Sequence, residues 1–397
     1  QAALAGSGSR PVIFNATPHA RTGVPAMGAG DASAPRGAAT AQAADDGGFL
    51  LHNDLLDVRV DANGLLTSVR DLAADRELIA PGRRANLLQL HPDLPNQWDA
   101  WDVDAFYRNT VTDLIDVTDV RIVDAGPMQA VVLVTRSFGE STVRQRLVLH
   151  ADVSQLDIET EVDWHESEKF LKLAFPLDIH TDRFAAEIQF GHLYRPTHVN
   201  TGWDAAKFEV CAHRWVRLAE PGYGVALAND ATYGHDVTRA ARDGGGTISI
   251  LRASLLRAPR FPDPDTDHGV HRFRHALVAG ASVNDAVQAG YRINLPWQVR
   301  GGSEPVAPLV AISNDAVVVE SVKLADDRSG DVVVRLYESG GDRATARLTA
   351  GFPLAGAVST DLLERRWSET EEYAVADNSI TLALRPFEIR TLRLSRG

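Results

Sequence analysis

Two stretches of the sequence hold the residue types that suit chemistry on a sugar ring. The first, 95–107, alternates aromatic side chains with carboxylates, and the second, 195–204, reads RPTHVNTGWD. A flat aromatic face can pack on the ring, while carboxylates and a guanidinium can hydrogen-bond its hydroxyls. We therefore predict ten substrate contacts: Trp98, Asp99, Trp101, Asp102, Asp104, Arg195, His198, Asn200, Trp203 and Asp204.

Both stretches also have a purely structural interpretation. The aromatic side chains of 95–107 could close one end of a β-sandwich, and its aspartates could pair with Arg108 or Arg195 to hold the loop. Asp204 could cap a short helix over 205–208, because Asp is a favoured N-cap residue. The sequence leaves both interpretations open.

Histidine and carboxylate pairs raise the question of a metal site. Alternate residues of a strand share a face, so a His-x-Asp pair could supply two ligands. Three such pairs among thirteen histidines are near what chance gives in an acidic chain. We interpret them as exposed polar residues at strand ends, and we interpret 265–275 as a structural loop with solvated histidines. No metal ligand is assigned; the three pairs are His52/Asp54, His91/Asp93 and His180/Asp182.

Composition excludes several classes of partner. The formal net charge of -13 argues against nucleic acid and against an anionic membrane, because both require clustered Lys and Arg. No apolar run approaches the roughly 18 residues of a membrane span. The single cysteine, Cys211, fits a reducing, cytoplasmic compartment. Its strand-like surroundings predict a buried small apolar residue.

Strand patterns dominate the rest of the chain. Residues 156–164 alternate apolar and acidic side chains, which is typical of a half-buried antiparallel strand. The best helix candidate covers 283–291. The Ala, Gly and Ser content of 25–47 indicates a flexible linker or a poorly ordered loop. After 301–308, strands at regular spacing indicate a small β-sandwich.

Four long stretches together carry a family resemblance. Residues 195–215 (RPTHVNTGWDAAKFEVCAHRW) and 223–237 (YGVALANDATYGHDV) resemble the C-terminal region of glycoside hydrolase family 38 α-mannosidases, in the cytosolic and bacterial branch. Residues 95–107 (PNQWDAWDVDAFY) and 383–394 (ALRPFEIRTLRL) resemble the same region. The resemblance implies a piece of a retaining, zinc-dependent α-mannosidase that hydrolyses terminal α-D-mannosides.

The fold that the resemblance implies agrees with the strand pattern. It is all-β, with a large antiparallel β-supersandwich of the galactose-mutarotase type followed by a small β-sandwich. We predict four regions: 1–24 as the end of an upstream small β-domain, 25–47 as the linker, 48–300 as the supersandwich and 301–397 as the C-terminal β-sandwich.

The resemblance places the chemistry elsewhere. In the family, the zinc ion, the nucleophile and most of the pocket belong to an N-terminal β/α barrel, and this sequence has no alternating βα pattern for one. We therefore assign no catalytic residue and no cofactor to this chain, and expect zinc in the catalytic domain. The expected partners are a mannose-containing oligosaccharide or glycoside and the barrel of the same protein. Whether the protein forms a homo-oligomer stays an open question.

Two other functions remain as alternatives. The chain could act as a stand-alone carbohydrate-binding module through its clustered Trp and Asp residues. It could also be a mutarotase-like epimerase, which needs a general base and acid facing each other. Glu187 with His192 or His198 would serve, although nothing in their spacing singles them out and a shared fold does not carry function.

Overall fold

The structure is a computed structural model that describes residues 1–368 and 370–397. The chain forms two compact units. The large unit comprises Pro35–Glu187 and Leu193–Ile293, and the small unit comprises Gln1–Ala34, Ile188–His192 and Asn294–Gly397. Strands predominate in both, as the alternating patterns predict.

Two sheets account for most of the large unit. The nine-stranded sheet has, in spatial order, the strands Asp119–Ala125, Gln129–Phe138, Ser141–His150, Gln155–Trp164, Gly269–Val278, Tyr223–Asn229, Trp215–Glu220, Arg183–Ile188 and Gly191–Pro196. The six-stranded sheet is antiparallel throughout, with the strands Val210–Cys211, Gly234–Ala241, Thr247–Leu256, Lys169–Leu177, Leu87–Pro92 and Thr112–Asp113.

A five-stranded antiparallel sheet completes the large unit. Its strands are Thr40–Ala43, Phe49–His52, Leu56–Val60, Leu66–Asp71 and Arg76–Glu77. Buried apolar side chains from all three sheets form one continuous core. The predicted alternation of the strand Gln155–Trp164 is confirmed, because Leu156, Ile158, Thr160, Val162 and Trp164 are all buried.

The small unit contains three sheets. Two of them enclose a separate apolar core, as in a β-sandwich. One has the strands Val310–Ile312, Ala344–Ala350 and Ser379–Leu384, and the other has Val317–Leu324, Val332–Glu338, Ile389–Arg396, Leu354–Thr360 and Glu372–Tyr373. The third sheet has Gly28–Gly30, Arg10–Asn15 and Gln298–Gly302.

Helices are short. They cover Ala2–Ala5, Gly202–Ala205 and Val283–Asn294, with a 3₁₀ turn at Ala105–Asn109. The helix predicted over 283–291 is confirmed and runs three residues further. Ser282 starts it, since its Oγ accepts from the backbone N of Asp285 at 3.2 Å while the Asp285 carboxylate accepts from the backbone N of Ser282 at 2.9 Å. Among the residues described, no helix is long and apolar enough to cross a membrane.

The predicted fold class is confirmed, with two local corrections. The segment 25–47, predicted as a flexible linker, contains the strands Gly28–Gly30 and Thr40–Ala43. Each pairs with a neighbouring strand through backbone hydrogen bonds, which do not require apolar side chains. The domain boundaries themselves stay predictions. Cys211 is exposed rather than buried, because it lies in a two-residue strand at the edge of its sheet.

Candidate functional site

Three loops leave the same end of the six-stranded sheet. They cover 93–110, 197–209 and 257–268, and we call them the loop cluster. Their common position follows from the antiparallel register, which pairs the residues at this end of the sheet: Pro92 with Lys169, Leu171 with Leu256, Ala253 with His235 and His235 with Val210. The two stretches predicted from the sequence therefore lie at the same end of one sheet.

An arginine joins the first loop to the third. Arg257 donates from Nε and Nη2 to the carboxylate of Asp93 at 2.6 and 3.0 Å, and from Nη2 to the carbonyl of Asp99 at 3.1 Å. The Asp99 carboxylate in turn accepts from the backbone N of Arg260 at 2.7 Å and of Phe261 at 2.9 Å. Asp99 thus holds the loop, but through backbone N–H groups of the third loop rather than through the predicted Arg108 or Arg195.

The His91/Asp93 pair is buried, which corrects the prediction that it is exposed at a strand end. Burial raises the pKa of Asp93 despite the opposing contact with Arg257. Burial also lowers the pKa of His91, whose Nδ1 lies 2.9 Å from the carbonyl of Thr110. The pair is buried because the first loop folds back over the end of its own strand.

A buried polar cluster joins the first loop to the second. Lys172, on the central strand Lys169–Leu177, is fully buried, and its Nζ contacts the carboxylates of Glu209 and Asp236 and the Oη of Tyr107. Tyr107 Oη donates to Glu209 at 2.8 Å. Burial alone would lower the pKa of Lys172, but Asp236 and Glu209 outweigh it and raise that pKa, so the lysine is a cation.

Two arginines extend the buried cluster around Asp236. Arg252 donates from Nε and Nη2 to Asp236 Oδ1 at 3.0 and 2.7 Å, and Arg108 lies 3.3 Å from the same oxygen. Burial would raise the pKa of Asp236, but Lys172 and the two arginines lower it. Arg108 also donates to the carbonyl of Phe208, which fixes the end of the second loop.

This cluster was not predicted from the sequence, although the sequence carries one signal of it. Lys172 interrupts the apolar run FLKLAF, and a lysine in a buried strand requires an acidic partner. Its partners lie 37 and 64 residues away along the chain, so no local pattern could have named Glu209 and Asp236.

A cavity of about 430 Å³ lies between the second loop and the strand Gly234–Ala241. Four of the ten predicted contacts line it: Arg195, His198, Asn200 and Asp204. Asp204 stabilises a helical turn, but at the third position of Gly202–Ala205 rather than before 205–208, and Thr201 is the N-cap of this capping box. His198 Nδ1 lies 3.5 Å from the Asp204 carboxylate.

The remaining predicted contacts divide into anchors and exposed aromatic side chains. Asp104 accepts from the backbone N of Asn96 at 2.6 Å, and Asp102 accepts from the backbone N of Val103 at 2.9 Å, so both stabilise the first loop. The three tryptophans are different, because most of each side chain faces solvent: Trp98 (68% exposed), Trp101 (68%) and Trp203 (83%).

Two family models match the chain. The model described as "Glycosyl hydrolases family 38 C-terminal domain" matches residues 51–265, and that described as "Glycosyl hydrolases family 38 C-terminal beta sandwich domain" matches residues 316–392. The chain belongs to glycosyl hydrolase family 38. The predicted resemblance is therefore confirmed, and all ten predicted contacts lie within the first match.

Curated relatives support the same family. The chain is 38% identical over 361 residues to human alpha-mannosidase 2C1, covering 88% of this chain and 34% of the relative. It is 32% identical over 369 residues to alpha-mannosidase G of Dictyostelium discoideum, covering 87% of this chain and 32% of the relative. The chain thus spans about a third of the length of these family 38 relatives.

A solved structure shows the same fold. An alpha-mannosidase from Enterococcus faecalis V583 superposes with a TM-score of 0.73 at 16% identity, covering 94% of this chain and 45% of that one. At this identity the likeness concerns the fold alone.

The family 38 region offers no cluster of metal ligands among residues 1–368 and 370–397, where no three or more His, Cys, Asp or Glu side chains converge. The histidines of 265–275 differ from the prediction of a solvated set. His271 contacts the carbonyl of Asp267 at 2.7 Å, whereas His275 is buried, and burial lowers its pKa to about 4.

Glu187, which was considered for epimerase chemistry, is bound by another side chain. Both carboxylate oxygens of Glu187 accept from Arg214, at 2.8 Å from Nη2 and 3.0 Å from Nε. The Arg214 backbone N donates to the same carboxylate at 2.6 Å. The Glu187 carboxylate is therefore occupied by an ion pair with Arg214.

Proposed function

We propose that the intact protein is a retaining α-mannosidase that hydrolyses terminal α-D-mannosides. In this proposal the present chain is its C-terminal β-region, which acts as a scaffold and as one wall of the substrate cleft. The observation that carries the proposal is the loop cluster at the end of the six-stranded sheet. It holds three exposed tryptophans and lies inside the family 38 match.

The tryptophans support a role in the cleft wall. Large exposed aromatic side chains are enriched at interaction surfaces, and these three belong to loops at the same end of one sheet. The loops beneath them are cross-linked by Arg257 and by the buried cluster around Lys172. A sugar would therefore meet rings on braced loops, which lowers the entropic cost of binding.

The catalytic groups belong to the remainder of the intact protein in this proposal. The curated relatives are about three times as long as this chain. We propose that the catalytic β/α barrel occupies part of that remaining length, carries the nucleophile and binds the zinc ion. We also propose a cytoplasmic location, which the single exposed thiol of Cys211 favours.

The test uses the full-length protein with Trp98, Trp101 and Trp203 all replaced by Ala. Loss of three stacking faces, at about 1 kcal/mol each, should lower kcat/KM for an oligomannoside at least tenfold. The unfolding midpoint should not change, because these side chains face solvent. The matched control is Trp367→Ala, at an exposed tryptophan of the small unit. An unchanged kcat/KM in the triple variant would contradict the cleft role.

The 397-residue chain alone should not hydrolyse an aryl α-mannoside. Hydrolysis by this chain would overturn the assignment of the catalytic groups to a separate domain.

A second candidate is a stand-alone carbohydrate-binding module, which the exposed tryptophans also favour. Calorimetry of the 397-residue chain with mannose and mannobiose distinguishes the two. Heat of binding at millimolar sugar, abolished by the triple Trp→Ala variant, would favour the module. The absence of heat would favour a cleft that is complete only with the catalytic domain.

A further inference from the structure

The cavity beside the second loop carries an excess of positive charge. Arg195, Lys207 and Arg239 line it, and within the described residues none of the three lies within 4.0 Å of a carboxylate oxygen. Arg195 donates to the carbonyl of Cys211 at 3.0 Å. Arg239 donates to Thr197 Oγ1 and to a backbone carbonyl, both at 2.9 Å. These partners are neutral, so they leave the charges uncompensated.

Of the two acidic groups that line the cavity in the described part of the chain, only Asp236 is paired with cations, and the three unpaired cations outnumber Asp204. Asp236 is held by Lys172, Arg252 and Arg108. Asp204 accepts from Thr201 Oγ1 at 2.9 Å and lies near His198. The surplus of cations is unusual in a chain whose formal net charge is -13.

One donor in the cavity wall lacks an acceptor. In the part of the chain that the structure describes, Arg195 Nε is buried without a hydrogen-bond partner. Buried donors are nearly always satisfied, and an unsatisfied charged one is costly. This unsatisfied donor adds to the uncompensated positive charge of the cavity wall.

The size of the cavity limits the ligand. A volume of about 430 Å³ lies in the range of small-molecule sites and is far larger than inorganic phosphate needs. Apolar side chains form part of the lining, including Phe184, Phe208 and Val237. The lining therefore suits an anion attached to an organic body.

We propose that this cavity binds a phosphate monoester of a small hydroxylated compound. The monoester carries about two negative charges and three acceptor oxygens. The guanidinium groups of Arg195 and Arg239 would hold the phosphate oxygens, and Lys207 would supply a point charge. The proposal goes beyond mannoside hydrolysis, because a neutral mannoside would leave the charges of Arg195, Lys207 and Arg239 uncompensated.

Calorimetry of the 397-residue chain tests the proposal with three compounds at low ionic strength. Glucose 6-phosphate should bind, glucose should not, and inorganic phosphate should bind more weakly because it leaves the apolar wall unused. The affinity for glucose 6-phosphate should fall as salt is added. Equal binding of glucose and glucose 6-phosphate, or phosphate binding as tight as the ester, would overturn the proposal.

Variants locate the site. Lys207→Gln, at an exposed residue, should weaken glucose 6-phosphate binding about fivefold, and Arg195→Gln about tenfold or more, as expected for charge-assisted hydrogen bonds. The matched control is Arg144→Gln, which removes an exposed charge from the nine-stranded sheet and should leave the affinity unchanged. Unchanged affinity in both cavity variants would overturn the assignment.

The outcome is independent of the proposed hydrolase function. No step of this binding assay involves hydrolysis, so failure of the ester to bind leaves the mannosidase proposal intact. An inactive full-length protein would equally leave the anion site intact.

Discussion

Two groups of charged side chains, one on each main sheet of the large unit, are held in opposite ways. On the nine-stranded sheet, Arg146 pairs with Glu159 and Arg272 with Glu161, and both pairs are largely exposed. On the six-stranded sheet, Lys172 and its carboxylate partners are withdrawn from water.

The difference indicates that the six-stranded sheet uses buried charge to fix the arrangement of its loops. Exposed pairs contribute little free energy, because water and salt screen them. A buried pair contributes no more than an apolar pair of the same size would, yet removing one partner is costly. The buried cluster around Lys172 therefore serves chiefly to specify one arrangement of the loops, and the loop cluster with the predicted contacts lies on that sheet.

The largest expected effect comes from Lys172→Met. The substitution leaves Asp236 and Glu209 with one cation fewer in a buried setting, which should lower the free energy of unfolding by about 3–5 kcal/mol. Arg272→Met on the nine-stranded sheet is the matched control and should cost less than about 1 kcal/mol. Urea unfolding followed by tryptophan fluorescence measures both, and equal losses would refute the contrast.

The second-largest expected effect is a loss of stability of the large unit in acid. Burial lowers the pKa of His235 and of His275 to about 4 in the folded state. Both rings are neutral in either state above about pH 6.5, so stability is complete there. Between pH 6.5 and 4 the unfolded state binds protons that the folded state does not, and each ring should cost about 2 kcal/mol at pH 5.

Urea midpoints at pH 7 and pH 5 measure this dependence. His275→Gln should flatten the curve. A parent and a His275→Gln variant with the same pH dependence would contradict the assignment.

Removal of the Arg257 contacts that join the first loop to the third should have a smaller effect. Arg257→Ala leaves the buried carboxylate of Asp93 unpaired, which should cost about 2 kcal/mol. Limited proteolysis should then cleave within 93–104 faster than in the parent. Arg260→Ala, which removes only a 3.9 Å surface contact with Glu168, is the control. Faster cleavage in both variants would mean that the stability of the first loop does not depend specifically on Arg257.

The smallest expected change in stability is that of Trp203→Ala. This side chain is almost fully exposed on the loop cluster, so the free energy of unfolding should change by less than about 0.5 kcal/mol. Trp164→Ala in the core of the nine-stranded sheet should cost about 3–5 kcal/mol. Comparable losses would show that Trp203 packs against its own loop.

Much of the fold could be predicted from the sequence where a local pattern determines the structure. The strand Gln155–Trp164 was predictable because one face is buried, and the helix Val283–Asn294 was the best candidate of its kind. The strand Thr40–Ala43 was not, since its side chains carry almost no apolar signal and its pairing is made by the backbone.

The candidate site was predictable in its residue types and less so in its contacts. The exposure of Trp98 and Trp203 agrees with their choice as candidates, although their role as substrate contacts stays a prediction. The anchoring of Asp99 could not be read from the sequence, because its partners are 161 and 162 residues away. Burial of His91 likewise depends on a loop that returns over it from later in the chain.

The chain passes four times between the two units, since the small unit is assembled from three separate segments. Its strand Arg10–Asn15 pairs with Gln298–Gly302, and the whole of the large unit lies between these strands in the sequence. A single cut after Ile293 would therefore deprive the N-terminal strand of that neighbour, and residues 188–192 would remain behind in the other piece. The units are not interchangeable modules, and a transplant of either between related proteins would need several simultaneous junctions.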